Sequence, residues 1–218
     1  MEWFAAVDGY CERGGTGLWA EPLNAATNAA FLIAAALLWP RVRGLARGRA
    51  LCLSLAAIGL GSGLFHTAAN RLTGLLDVLP ILVFILLYLH AAARDLLGMG
   101  RGAALLATAA FLPYAALTVP LFARLPGLGS SAGYAPVPVL ILGVAAWLAP
   151  RAPPTARGLA GGGALLLLSL AFRTLDGPLC PAFPIGTHFL WHLLNALLLG
   201  WMIEVWRRHR LAAAGRPR

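Results

Sequence analysis

The stretch GTHFLWHLLNALLLGWMIEVW, residues 186–206, decides the fold and carries the first functional signal. It is apolar and long enough to cross a bilayer as a helix, since about 20 residues span a hydrocarbon core of about 30 Å. It also holds His188 and His192, which are four residues apart and therefore lie on one face of that helix. Imidazoles inside a membrane span indicate a functional site.

The composition of the whole chain predicts an integral membrane protein. Of its 218 residues, 60% are hydrophobic and 11% are charged, and the mean hydropathy is +0.77, whereas about one quarter of the residues in a soluble domain are charged. The net charge is +9, but every basic residue is an arginine, and most lie at the ends of apolar runs. This placement favours membrane anchoring and argues against nucleic acid as a partner.

Seven apolar runs predict an all-α, seven-transmembrane helix bundle made of one domain, residues 1–218. Residues 1–21 would form a polar extracytoplasmic arm and residues 207–218 a basic tail. The runs lie at about 22–40, 50–69, 73–93, 102–123, 134–150, 157–174 and 186–206. With the N-terminus outside, 13 of the 17 arginines, Arg216 and Arg218 included, fall on the cytoplasmic side. The positive-inside rule therefore predicts an outside N-terminus and a cytoplasmic C-terminus.

Polar residues of three runs are predicted to share one depth near the outer surface. The second run ends in GLGSGLFHTAAN, which contains Ser62 and His66, four residues apart. The third run begins RLTGLLDVLPI and places Asp77 within two turns of the same surface. The seventh run enters from that side with His188 and His192 in its first turns. We therefore expect these five side chains to lie together.

Three neutral imidazoles that leave a fourth position open are the ligands of a catalytic zinc site. The histidines are therefore predicted to bind zinc, with Asp77 as general base and then as acid to a leaving amine. Ser62 would donate a hydrogen bond to the oxyanion of a tetrahedral intermediate. The alternatives are that each histidine is a hydrogen-bonded core residue and that Ser62 only permits close helix packing. Asp77 is harder to explain as structural, because an unpaired carboxylate at this depth costs at least about 2.5 kcal/mol.

The motifs YCER, WAEPLNAATN, SGLFH and HFLWH, with an aspartate eleven residues after the SGLFH histidine, resemble the alkaline ceramidase family along the whole chain. These proteins are seven-helix zinc amidohydrolases in a superfamily with adiponectin-receptor-like proteins. The resemblance implies that His66, His188 and His192 bind zinc and that Ser62 and Asp77 assist catalysis. It also implies a lipid substrate taken from the bilayer, a ceramide or similar amide cleaved to a sphingoid base and a fatty acid.

The resemblance further implies a calcium site in the arm. Asp8, Glu12 and Glu21 supply hard oxygen ligands of the kind that calcium prefers. The alternative is that Glu12 and Glu21 are solvated or cap the first helix.

Two cysteines are predicted to face the oxidising side of the membrane. Cys11 lies in the arm and Cys180 in the last outer loop, whereas Cys52 lies near the inner end of the second run. A Cys11–Cys180 disulfide would clamp the arm over the mouth of the zinc site, and the family resemblance points the same way. Arg173 and Asp176, three residues apart, are predicted to form an ion pair, with contact to the substrate as the alternative for this pair.

These features predict a zinc-dependent intramembrane lipid amidase. The alternative is a non-enzymatic, receptor-like or signalling membrane protein with a structural zinc ion. A transporter is less favoured because the inner halves of most runs lack polar residues. Arginine without lysine, together with abundant alanine, leucine and glycine, predicts a bacterial protein of the inner (plasma) membrane. Many bacteria lack ordinary ceramide, so the sequence leaves the physiological lipid open.

Overall fold

The computed structural model describes residues 2–215, whose nine α-helices pack into one bundle. The helices are α1 Pro22–Thr27, α2 Ala29–Leu38, α3 Ala46–Ala68, α4 Arg71–Ala91, α5 Arg101–Ala109, α6 Phe111–Phe122, α7 Pro136–Leu148, α8 Pro153–Leu179 and α9 His188–Ala214. A π turn, Ala92–Leu96, continues α4, and single 3-10 turns follow α2 and precede α7. The break at Asn28 divides one apolar segment into α1 and α2, and α5 and α6 are likewise two parts of one segment.

The apolar character of these segments confirms a helical membrane bundle. Five are long and apolar enough to cross a membrane: Ala46–Ala68, Arg71–Leu96, Arg101–Phe122, Pro153–Leu179 and His188–Ala214. Two shorter apolar segments, Pro22–Leu38 and Pro136–Leu148, complete the order expected from the seven runs. The number of crossings and the orientation of the termini stay predictions.

Several helices continue beyond the apolar runs that predict them. Helix α3 begins at Ala46 instead of residue 50, and α8 begins at Pro153, a residue type suited to the first helical turn, instead of residue 157. Helix α9 reaches Ala214, so most of the predicted basic tail is helical. Glu204 accepts hydrogen bonds from Arg207 and Arg208 at helical spacing, which stabilises this extension. Arg216 and Arg218 lie outside the described residues.

Glycines allow the closest helix contacts in the bundle. A Cβ atom at Gly158 of α8 would lie 2.7 Å from Cγ2 of Val205 on α9, so a larger residue would force the Val205 side chain or the helices to shift. Gly61 of α3 lies directly against the Leu76 carbonyl of α4. This second contact brings Ser62, the next residue in α3, beside Asp77 of α4.

The N-terminal arm covers one end of the bundle. Ala6 bridges to Asn70, and Val7 N donates to the Ala69 carbonyl at 2.8 Å, so the arm packs on the α3–α4 connection. A disulfide joins Cys11 to Cys180, whose Cα atoms are 5.4 Å apart, and ties the arm to the α8–α9 connection, as predicted. We call this covered end the site end. The opposite end, where Glu204 and Asp95 meet arginines, is called the basic end.

Candidate metal centre

Three histidines from two helices meet at the site end. His66 lies in the last turn of α3, and His188 and His192 lie in the first two turns of α9. Their side chains are buried, with exposures of 0%, 1% and 1%, and one ligand nitrogen from each lies within 4.8 Å of the others. The group can therefore hold a metal ion, as the sequence predicts.

His66 is oriented by a carboxylate from the arm. Its Nδ1 lies 2.5 Å from Oε2 of Glu21, while Oε1 of Glu21 accepts a hydrogen bond from Nε of Arg13 at 2.5 Å. Burial disfavours the ionised form of Glu21, but the hydrogen bonds from His66 and Arg13 outweigh it and hold the pKa of this carboxyl below its usual value. An ionised Glu21 accepts the Nδ1 proton of His66, which leaves a lone pair on Nε2.

His192 is oriented by a hydroxyl group. Its Nδ1 lies 3.0 Å from Oγ1 of Thr27. The single hydroxyl proton of Thr27 is directed at the backbone carbonyls of Leu23 and Asn24, at 2.8 and 3.1 Å. Thr27 must therefore accept the Nδ1 proton of His192, so Nε2 of this ring also keeps its lone pair.

His188 is positioned through its backbone and its ring face. Asp176 Oδ1 accepts hydrogen bonds from the backbone N–H groups of Thr187 and His188, at 2.7 and 2.9 Å, and so caps the start of α9. Tyr10 of the arm stacks on the His188 ring with 3.8 Å between centroids. Helix α9, which carries two of the three histidines, is therefore fixed at its first turn by a residue of α8 and one of the arm.

The free ring nitrogens fit a metal ion. Nε2 of His66 and Nδ1 of His188 are buried without a hydrogen-bond partner, although buried polar atoms almost always have one. A metal ion would supply the missing partner. Three neutral imidazoles are a ligand set that zinc prefers, so the residues present fit this metal.

Ser62 and Asp77 lie beside the histidines and line the same cavity as His192. Ser62 is buried in α3 and lies next to Asp77 across the close α3–α4 contact at Gly61. The rest of the cavity wall is largely apolar and includes Phe84 and Leu96. The structure thus brings together all five residues that the sequence selects.

The calcium site implied by the family resemblance is not supported. Among residues 2–215, Asp8, Glu12 and Glu21 do not form a group that could hold a metal. Glu12 instead accepts hydrogen bonds from the backbone N–H groups of Leu23 and Asn24, at 2.6 and 2.7 Å, and caps α1. Asp8 is exposed, and Glu21 is held by Arg13 and His66, whose donors compete for the same oxygens.

The predicted Arg173–Asp176 ion pair is wrong. Both oxygens of Asp176 accept backbone N–H groups, since Oδ2 binds Cys11 N at 3.0 Å while Oδ1 caps α9. Arg173 instead donates hydrogen bonds to the hydroxyl groups of Tyr10 and Ser130. The N–H groups at a helix start attract a carboxylate strongly, and a spacing of three residues in the sequence does not reveal this competition.

The sequence does not predict the residues that orient the histidines. Glu21 is selected as a calcium ligand, and Thr27, Tyr10 and Asp176 are not assigned to the site. Proximity in the sequence offers no signal, because Glu21 and His66 are 45 residues apart and Thr27 and His192 are 165 apart. A search for carboxylates able to orient a metal-binding histidine could have proposed Glu21.

No model of a known protein family matches this chain, and no curated protein matches it significantly.

Proposed function

We propose that this chain is a zinc-dependent intramembrane hydrolase that cleaves the amide bond of ceramide or a ceramide-like lipid. The observation that carries the proposal is the cluster of three buried histidines, one of which, His192, lines a cavity together with Ser62 and Asp77. Zinc held by such a triad lowers the pKa of a water molecule and polarises a carbonyl group.

The cavity suits a lipid chain. It reaches from Asp77 to Leu96, which are 19 residues apart on α4 and its π turn and hence separated by about 28 Å at the rise of an α-helix. This depth is close to the thickness of the hydrocarbon core, about 30 Å. A long acyl chain can therefore lie along the cavity with its amide group at the histidines.

Asp77 and Ser62 would carry out the proton transfer and the oxyanion stabilisation. Asp77 accepts a proton from the attacking water and passes it to the amide nitrogen as the C–N bond breaks. Ser62 donates a hydrogen bond to the carbonyl oxygen as it gains negative charge. Water is thereby added across the amide, and a fatty acid and an amine leave.

The resemblance to alkaline ceramidases supports the same reaction. The distribution of the arginines supports an outside N-terminus and a cytoplasmic C-terminus. The lysine-free composition, rich in alanine, leucine and glycine, supports a place in the inner membrane of a bacterium. The site would then lie on the outer side of that membrane, where the disulfide is stable.

The test is hydrolysis of a panel of lipid amides by the purified protein in neutral-lipid nanodiscs, with and without a zinc chelator. Asp77→Asn should lower the rate by about 10²- to 10⁴-fold, and His192→Ala and the chelator should abolish hydrolysis. His90→Ala, on the far part of α4, is the control that should keep full activity. Undiminished hydrolysis by Asp77→Asn or His192→Ala would contradict the mechanism. Bound zinc without hydrolysis of any amide would favour the receptor-like alternative.

A further inference from the structure

Arg173 of α8 lies at the site end with most of its hydrogen-bonding capacity unused. Its Nη1 donates to Oη of Tyr10 and its Nη2 to Oγ of Ser130, both at 3.2 Å. Its Nε is buried and has no hydrogen-bond partner. A guanidinium carries five N–H donors, so two neutral hydroxyl groups leave several of them available.

No carboxylate of the described residues contacts the guanidinium of Arg173, and Asp77 acts on its charge only from beyond ion-pair distance. Within residues 2–215, no carboxylate oxygen lies within 4.0 Å of its nitrogens. Asp176, one turn along α8, is taken by backbone N–H groups. Arg13, also at the site end, pairs with Glu21 instead. A partly buried cation without a counter-ion is costly, and an anionic ligand would remove that cost.

Three aromatic rings surround the guanidinium. Its Cζ lies 5.9 Å from the ring centroid of Tyr10, 5.4 Å from that of Tyr134 and 5.2 Å from that of Trp191. Such contacts hold an arginine in place and shield it from water. Tyr134 and Trp191 line the cavity that reaches Asp77 and His192, and Tyr10 stacks on His188. Arg173 thus lies against two rings of the cavity wall and is one ring away from His188.

We propose that Arg173 and these three rings form a binding site for the carboxylate of an amphiphile whose chain lies in the cavity. The planar guanidinium fork binds a carboxylate through two parallel hydrogen bonds. The inference rests on the proposed amidase function, but in place of ceramide itself it favours lipid amides that carry a carboxylate on the amine side, as in N-acyl amino acids. The other source of the same group is the fatty acid released by the reaction.

Binding of ligands without an amide bond tests the site independently of hydrolysis. Dodecyloxyacetate carries a carboxylate, and 2-dodecyloxyethanol is its neutral counterpart. Both would compete with tritiated 2-dodecyloxyethanol for the full-length protein in phosphatidylcholine nanodiscs. We expect the carboxylate to bind about 10- to 100-fold more tightly than the alcohol, the range for hydrogen bonds to a charged group.

The variants separate Arg173 from general charge effects. Arg173→Gln should remove the preference for the carboxylate. Arg151→Gln should retain it, because Arg151 also stacks on an aromatic ring, that of Trp147 at 5.0 Å, but neither residue lines the cavity. If Arg173→Gln does not fold, Arg173→Lys keeps the charge without the fork and should weaken the preference several-fold. Equal affinities in the wild type, or an unchanged preference in the folded Arg173 variant, would overturn the proposal.

Hydrolysis then identifies the source of the carboxylate. N-dodecanoylglycine should have a higher kcat/KM than N-dodecanoylethanolamine, and Arg173→Gln should remove the difference. Tight binding of dodecanoate, with equal hydrolysis of the two amides, would keep the anion site and assign it to the released product. A carboxylate preference in binding without hydrolysis of either amide would leave the anion site standing and reject the amidase. Hydrolysis of the amides without any carboxylate preference in binding would support the amidase and reject the anion site.

Discussion

The carboxylates of the basic end are paired with hydrogen-bond donors, whereas two of the three histidines of the site end keep unpaired ring nitrogens. At the basic end, Glu204 contacts three arginines, and Asp95 contacts Arg47, Arg210 and the indole N–H of Trp206. At the site end, neutral imidazoles face one another, and two of their buried nitrogens lack partners. Buried carboxylates whose oxygens all accept hydrogen bonds stabilise a fold. Buried nitrogen lone pairs without a hydrogen-bond partner lower its stability unless a ligand binds to them. The three histidines of the site end are therefore arranged to bind a further group.

The largest effect is expected for a histidine of the site end. His188→Ala should lower zinc affinity by more than the roughly 100-fold that marks the loss of an orienting partner, because one of three ligands disappears. Zinc per chain, measured by elemental analysis after dialysis, checks this. His90→Ala should retain the metal. Equal zinc content in the two variants would contradict the assignment of the metal to the histidines of the site end.

A smaller loss is expected when an orienting group is changed. Glu21→Gln should weaken zinc binding by about 10- to 100-fold, because the amide cannot hold the proton of His66 Nδ1 as a carboxylate does. Competition with a chelator of known affinity measures it. Glu12→Gln is the matched control, since Glu12 caps α1 and contacts no histidine. If the two variants lose affinity equally, Glu21 has no special part in the site.

Close packing at the site end is tested by a pair of glycines in α3. Gly61→Ala should lower the free energy of unfolding by about 1–3 kcal/mol, the cost of overpacking, because its methyl group would meet the Leu76 carbonyl. It should also separate Ser62 from Asp77 and slow hydrolysis. Gly63→Ala should be tolerated, since the nearest atom to its methyl group would be 3.8 Å away. Unfolding titrations in mixed micelles that gave both variants the same stability would exclude this contact.

The smallest effect belongs to the basic end. Glu204→Gln should lower the free energy of unfolding by about 1–2 kcal/mol, because the arginines that contact it are partly solvated. Zinc content should not change. A loss of zinc in this variant, seen by the same elemental analysis, would show that the two ends are not independent.

The sequence predicts the candidate metal ligands better than the groups that orient them. His66, His188 and His192 are recognisable because polar residues in apolar spans are rare, and helical spacing places two of them on one face. Ser62 and Asp77 follow from depth, once neighbouring spans are read in opposite directions. These inferences need only periodicity and order along the chain.

The partners of those ligands depend on how the arm folds over the bundle. Glu21 could bind calcium, solvent or a histidine, and the position of Arg13 decides among these possibilities. Asp176 lies one turn from Arg173, yet its Oδ1 accepts the backbone N–H groups at the start of α9 and its Oδ2 accepts that of Cys11 in the arm. The apolar runs also do not predict the start of α8 or the end of α9, because a first-turn proline extends α8 and an ion pair extends α9 past their apolar cores.

Asp176 has a consequence for the order in which the protein is built. Its carboxylate joins the backbone of Cys11 to the start of α9, and Cys11 lies 165 residues before it in the chain. The ribosome must therefore synthesise nearly the whole protein before the first residues of the arm can find their final contacts. The earlier helices have to enter the membrane without a finished site. The protein could then bind the metal only after its last helix, which carries His188 and His192, is fully inserted.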